Sequence, residues 1–222
     1  MAIKQYRSEY PGEFVITKMV IRNGKKEQER EWIDNPVDVT SSNHRACCIA
    51  SGPSSTKIPM KRIEQHRGDL LGRNRMQLYA SEDVWEEMTP DFLVVLNQER
   101  LDQILENGYQ TEHVVYTSVR LCINNPGEFF IIPHGVMYQP AALAVWIACF
   151  DGHKDIYLYG YDETLKDGVV QTKVINTVQD IMKTYQDVNF HHVTDTGTPD
   201  AWRRCINCRT ISSRDFVTEC DI

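Results

Sequence analysis

The chain has 222 residues, 41% of them hydrophobic, and a formal net charge of −7. That length and apolar content suffice for one sizeable core, and the acidic balance argues against a general nucleic-acid binder, whose basic surface must displace counterions. No apolar run approaches the roughly 18 residues needed to span a bilayer, and the stretch MAIKQYRSEYPGEF lacks the apolar centre of a signal peptide. The seven cysteines are odd in number, and Cys47, Cys48, Cys122 and Cys149 sit in apolar contexts. Free thiols used as small hydrophobes fit a reducing compartment, so a soluble cytoplasmic protein is expected.

Residues 1–44 read as an N-terminal hairpin extension. Phe14 to Ile21 is strand-like, Asn23-Gly24 is a strong hairpin turn, and the return segment Lys25 to Ile33 is charged, as an edge strand is when it resists pairing with another sheet, with a short helix as the alternative. Such an arm suits a homo-oligomer contact. Asp34-Asn35-Pro36 closes the unit, and Thr40 to His44 reads as a linker.

From residue 45 to 195 strands and helices alternate. Arg45 to Ala50 is a short apolar strand that runs into Ser51-Gly52-Pro53-Ser54-Ser55, a loop of small residues whose backbone N–H groups can approach an anion or a ring edge. A short helix or turn follows over Pro59 to His66. Leu70 and Leu71 begin a second strand ending at Gly72-Arg73-Asn74, and Ser81 caps a helix through Glu87. Asp91 to Leu96 is a third strand with Asn97 at its tip, and Glu99 to Glu106 a helix stopped by Asn107-Gly108. His113 to Thr117 and Phe129 to Ile132 are strands, the latter leading into Pro133-His134-Gly135. Gln139 to Phe150 is a helix apolar nearly all round, hence buried against a sheet. Asp155 to Tyr159 is a central strand ending at Gly160-Tyr161-Asp162. Lys173 to Tyr185 has amphipathic helical spacing, and Val188 to Val193 is a last strand before a loop-rich tail, 196–222. The alternation predicts an α/β fold, a Rossmann-like mostly parallel sheet with helices on both faces. It places the strand tips on one edge, where open α/β sheets bind ligands.

Taken in order, those tips resemble a known family, the bacterial lipooligosaccharide sialyltransferases. The matching residues are Gly52-Pro53-Ser54 after the first strand, Asn74, Asn97, Gly135-Val136 before an Ala-rich helix, and Gly160-Tyr161-Asp162. The loop and the final tip are also similar to an archaeal pterin pyrophosphokinase-like family. The resemblance covers residues 45–195. It implies a cytidine nucleotide sugar as substrate and no separate cofactor; the chain has no Asp-x-Asp motif, so metal independence is expected. Carried over residue by residue, it puts Gly52, Ser54, Asn74, Asn97 and Gly135 on the nucleotide. Ser51, Pro53 and Gly160, on the same tips, complete the expected nucleotide-binding set, and His134, which stands where the family has a serine, forms with Asp162 the candidate catalytic pair. The family carries tyrosines after Gly-x-Asp, where Glu163 and Thr164 stand here. It also has a histidine before the next helix, and none lies between Gly168 and Lys173. The resulting expectation is a nucleotide-sugar-binding, glycosyltransferase-like protein. The alternatives are a noncatalytic binding or assembly protein on the same fold, and a magnesium-dependent pyrophosphoryl transferase.

Three further features stand apart from that edge. Cys205-x-x-Cys208 is half of a zinc pattern, and Arg203, Arg204, Arg209 and Arg214 form a basic cluster. His191 and His192, adjacent on a strand, should face opposite ways, one buried or ladder-facing and one exposed, which argues against a metal site from this pair alone.

Overall fold

A computed structural model describes residues 2–6, 13–22, 24–34, 45–66, 76–165 and 168–222. In chain order the strands are β1 (Ala2–Tyr6), β2 (Glu13–Arg22), β3 (Lys25–Asp34), β4 (Arg45–Ile49), β5 (Gln77–Ser81), β6 (Phe92–Val94), β7 (Val114–Thr117), β8 (Phe130–Ile131), β9 (Asp155–Tyr159), β10 (Asn189–Val193) and β11 (Cys208–Ile211). The α-helices are α1 (Met60–Glu64), α2 (Gln98–Asn107), α3 (Val119–Asn124), α4 (Pro140–Phe150), α5 (Thr172–Thr184) and α6 (Ser213–Glu219).

These strands form one sheet in the order β11-β10-β9-β4-β5-β6-β7-β8-β1-β2-β3. Every pair from β11 to β1 is parallel, and only the β1–β2 and β2–β3 pairs are antiparallel. The fold is therefore the expected Rossmann-like α/β architecture, with the hairpin attached through β1, which pairs with β8. From β4 the chain steps outward through β5, β6, β7 and β8, then returns to the other flank of β4 with β9 and continues to β10 and β11. The strand order reverses between β4 and β9, and that crevice is the topological switch point where such sheets bind ligands.

Two cores cover the two faces. Helix α4 lies across one face, with Ala142 to Cys149 all buried, beside the apolar stripe Val174, Ile175, Val178, Ile181 and Met182 of α5. The opposite face is filled by Ile63 of α1, Leu101 and Ile104 of α2, Leu121 of α3 and Phe216 of α6. Strands enclosed by both layers carry continuous apolar runs. Ala46, Cys47, Cys48 and Ile49 of β4 have no measurable exposure.

Several expectations are corrected. Ser81 does not cap a helix: it ends β5, and residues 82–87 are turns. Gln77-Leu78-Tyr79-Ala80 forms a strand because it is buried on both faces between β4 and β6, and that ladder takes Ser81 as its last residue, so the serine is not available to start a helix. The expected strand at Leu70 and Leu71, and its tip at Asn74, lie outside the described residues. His191 and His192 are both buried, at 5% and 0% exposure, because β10 is an interior strand covered on both faces. The tail adds β11 and α6 between its turns.

Candidate functional site

The chain leaves β4 into the Gly52 loop and leaves β9 into the Gly160 turn, and the two interlock. Gly52 N–H donates to the Gly160 carbonyl at 2.9 Å. The Asp162 carboxylate accepts two hydrogen bonds from Ser54, one from its backbone N–H and one from its hydroxyl, each 2.7 Å. A Cβ on Gly160, which has φ +79°, would lie 2.0 Å from the Ala50 carbonyl oxygen, and a Cβ on Gly52 would lie 2.4 Å from both Asp162 Oδ2 and the Gly160 oxygen. The two glycines are thus required by loop meeting loop. Tyr159 pins the loop from below, its hydroxyl accepting from Ile58 N–H at 2.7 Å and donating to the Ile58 carbonyl at 3.1 Å. Tyr161 anchors the turn to the start of α4 through the Ala141 carbonyl, 2.8 Å away.

This geometry changes what the loop offers a ligand. The Ser54 N–H and hydroxyl that would meet a phosphate are given to Asp162. What remains open is a cavity of about 50 Å³ lined by Ala50, Ser51, Ser81, Asp83, Gly160 and Asp162, among others. Its carboxylates suit the hydroxyls of a sugar better than an anion.

Beneath it lies a residue the strand alternation did not single out. His192 is fully buried. Its Nδ1 shares a 3.0 Å hydrogen bond with the Thr198 hydroxyl, and its ring stands edge-on to Trp202 with centroids 5.0 Å apart. Burial pushes its imidazole down to about 4, opposed by the nearby Asp162 carboxylate and Tyr161 carbonyl. It is a neutral base held under the turn that carries Asp162. The signal was present in the sequence: a polar pair inside Phe190-His-His-Val193, a strand apolar at both ends, implies burial on both faces.

Farther along the same edge the β6, β7 and β8 exits surround a larger cavity of about 590 Å³. Asn97 stands at its β6 corner as the N-cap of α2, its side-chain oxygen accepting from Glu99 N–H at 2.8 Å and Arg100 N–H at 3.3 Å. Its oxygen is therefore committed to the helix. Glu82 reaches across to accept from the Leu96 and Asn97 N–H groups at 2.7 and 2.9 Å, which fixes that corner. Ser118 caps α3 in the same way, accepting from Leu121 N–H. That serine before Val119-Arg-Leu-Cys-Ile was the available sign of a helix.

Gly135 lines this larger cavity with φ +64° and open space where a Cβ would be. His134 beside it also adopts left-handed backbone, φ 55°, and is exposed, its ring edge-on to Phe150 at 5.6 Å. The structure gathers Ser51, Gly52, Pro53, Ser54, Gly160 and Asp162 at the switch point, and Asn97, His134 and Gly135 at the β6–β8 exits. Asp162 lines the smaller cavity and Gly135 the larger, and His134 lines neither. Among the described residues no group of three or more His, Cys, Asp or Glu converges to hold a metal ion. Cys205 and Cys208 are unpaired thiols, Cys208 pushed up to about 12 by burial. Among the described residues no helix is long and apolar enough to cross a membrane.

No family model matches the chain, and no curated protein matches it. Solved structures do. A variant of the sialyltransferase CST-II in complex with CMP aligns at 12% identity over 67% of this chain and 81% of that one, with a TM-score of 0.41. CstII from Campylobacter jejuni in complex with the substrate analogue CMP-3FNeuAc aligns at 14% identity over 67% and 79%, with a TM-score of 0.34. A second CST-II variant in complex with CMP aligns at 13% identity over 67% and 80%, with a TM-score of 0.38. At these values the likeness is too slight to carry residues or an activity across.

Proposed function

We propose that the chain binds a nucleotide or nucleotide sugar at the switch point between β4 and β9, as a glycosyltransferase-like protein. The observation that supports this reading is the reversal of strand order between two strands whose exits are a Gly-Pro-Ser loop and a Gly-Tyr-Asp turn locked together. In this reading the ribose hydroxyls meet Asp162 and Ser51, and Gly52 and Gly160 let the two loops close up to form the floor. The rest of the ligand lies over Pro53 and the turn after β5. Ser54 serves by orienting Asp162. In this reading Asn97, whose oxygen caps α2, and His134 and Gly135, at the neighbouring exits, lie outside the nucleotide site. A cytidine nucleotide sugar is the donor that the sequence resemblance implies. Turnover in this reading is metal-independent, since the sequence offers no Asp-x-Asp motif to hold a metal at the leaving phosphate. The unpaired thiols support a reducing compartment such as the cytoplasm.

A second reading, binding without turnover, is favoured by one observation: Oδ2 of Asp162 already accepts both Ser54 hydrogen bonds, which makes the carboxylate a structural clasp and leaves Oδ1 for a ligand. Thermal unfolding with cytidine, uridine and adenosine monophosphates tests the shared part. A nucleotide at 100 times its dissociation constant adds about 2.7 kcal/mol, and this gain should fall in Asp162→Asn. If none of the three nucleotides raises the transition, the proposal is lost. Release of CMP from a cytidine nucleotide sugar, with and without magnesium, then separates metal-free transfer, pyrophosphoryl chemistry and mere binding. Light scattering on a chain lacking residues 1–40 tests the hairpin as an oligomer arm.

A further inference from the structure

The larger cavity has a chemistry of its own. Its volume, about 590 Å³, falls within the range of small-molecule sites. It is centred on the β7 exit, three strand positions from β4, which at about 4.8 Å per strand is roughly 14 Å from the switch point. Its walls are Leu96 from the β6 exit, Leu121 from α3, and Ile132, Val136 and Met137 from the β8 exit. Met137, at 67% exposure, leaves apolar surface in solvent at its mouth. Apolar walls continuing into an exposed apolar rim favour an occupant with an apolar body.

One cation faces the same space. Arg120, in the first turn of α3, lines the cavity. Arg100, Arg203 and Arg209 each hold a carboxylate, from Glu86, Asp200 and Glu219. Among the described residues Arg120 holds none. In a chain of net charge −7 an uncommitted guanidinium beside an apolar cavity is a fork of donors suited to a carboxylate, sulfonate or phosphate.

We propose that this cavity is a second ligand site, separate from the switch point, for an organic anion with an apolar body. The body lies against Leu96, Leu121, Ile132, Val136 and Met137, and the anionic group lies on Arg120. The inference rests on the cavity and Arg120 alone, so it stands or falls independently of the nucleotide site.

The test uses the full chain and two dyes. The anionic 1-anilinonaphthalene-8-sulfonate carries one sulfonate on an apolar body, and N-phenyl-1-naphthylamine is close in shape but uncharged. Saturable fluorescence enhancement by the anionic dye at one equivalent is expected. Arg120→Gln should weaken that dye by about tenfold and the neutral one by less than twofold, while Arg120→Lys restores most of the affinity. Arg204→Gln, on the exposed tail, should change neither. Met137→Glu, a surface change that spares the core, should weaken the anionic dye more than the neutral one. Saturating CMP should leave the anionic dye bound. The proposal is overturned if Arg120→Gln and Arg204→Gln weaken the anionic dye equally, if Arg120→Gln has no effect, or if CMP displaces the dye. Because CMP binding is read from its own thermal shift, loss of one proposal leaves the other intact.

Discussion

Two stretches of one sheet edge are built to opposite ends. At the switch point the β4 and β9 exits are knotted to each other, with Gly52 against Gly160, Ser54 on Asp162 and Tyr159 on Ile58. Three strands away the β6 and β7 exits keep Asn97 and Ser118 for their own helix caps, and together with the β8 exit they leave a broad cavity between them. The first region gains rigidity by consuming its donors, and the second gains room by satisfying each exit locally. A glycine has a different meaning in each: Gly160 has no space for a side chain, whereas Gly135 has nothing within 4 Å of where one would be.

The glycines give the sharpest way to break that contrast. Gly160→Ala should cost about 4 kcal/mol, since it forces both a left-handed alanine and a clash with the Ala50 carbonyl; urea unfolding reads it. A cost below about 1 kcal/mol would mean that the knot yields easily.

Next in size is a pH effect. His192 titrates at about 4 in the folded chain because burial disfavours its charge, against roughly 6.5 when unfolded. Between those values the unfolded chain binds more protons. Its contribution is therefore complete above about pH 6.5, declines as the pH falls, and is fully lost below about 4, on the order of 3 kcal/mol in all. Burial lowers His191 in the same direction. His192→Gln should flatten this slope when urea midpoints are compared between pH 4.5 and 7, and a slope equal to that of the parent chain would remove His192 from the account.

Asp162→Asn should cost about 2 kcal/mol, as the two Ser54 donors lose a charged acceptor, and an unchanged midpoint would show that the clasp contributes nothing to stability. At the open region the effects are smaller. Asn97→Ala should cost about 1 kcal/mol as a lost helix cap. Gly135→Ala should cost a similar amount, through backbone conformation alone. If Gly135→Ala proved as damaging as Gly160→Ala, the distinction between the two regions would collapse.

How much of this was legible beforehand depended on whether an element carried its own signal. Helix α4, apolar on every side, and strand β9, ended by Gly160, stand where their residues placed them, because central parallel strands and fully buried helices announce themselves by continuous hydrophobicity. Strand β5 was misread: Ser81-Glu82-Asp83 is a good helix start in isolation, and only the pairing of Leu78 to Ala80 with β4 and β6 decides otherwise. Strand β11, with Arg209 and Thr210 exposed, has no apolar period and exists because β10 offers it a ladder. At the site, the nearness of Gly52 to Gly160 was readable as two small-residue tips on one edge. That Ser54 would take up Asp162, or that His192 would lie beneath, depends on distances no spacing encodes.

The paired thiols of the central strand have a practical consequence. Cys47 and Cys48 lie on opposite faces of β4 with no exposed surface, and burial raises both well above the ordinary thiol range. Alkylating reagents attack thiolates, so neither sulfur can react until β4 separates from β5 and β9. The strand that feeds the Gly52 loop therefore carries its own clock. Cys205, half-buried near the sheet's far edge, should be modified first. The delay before the central pair follows measures how often the middle of the sheet opens, with no probe added to the chain.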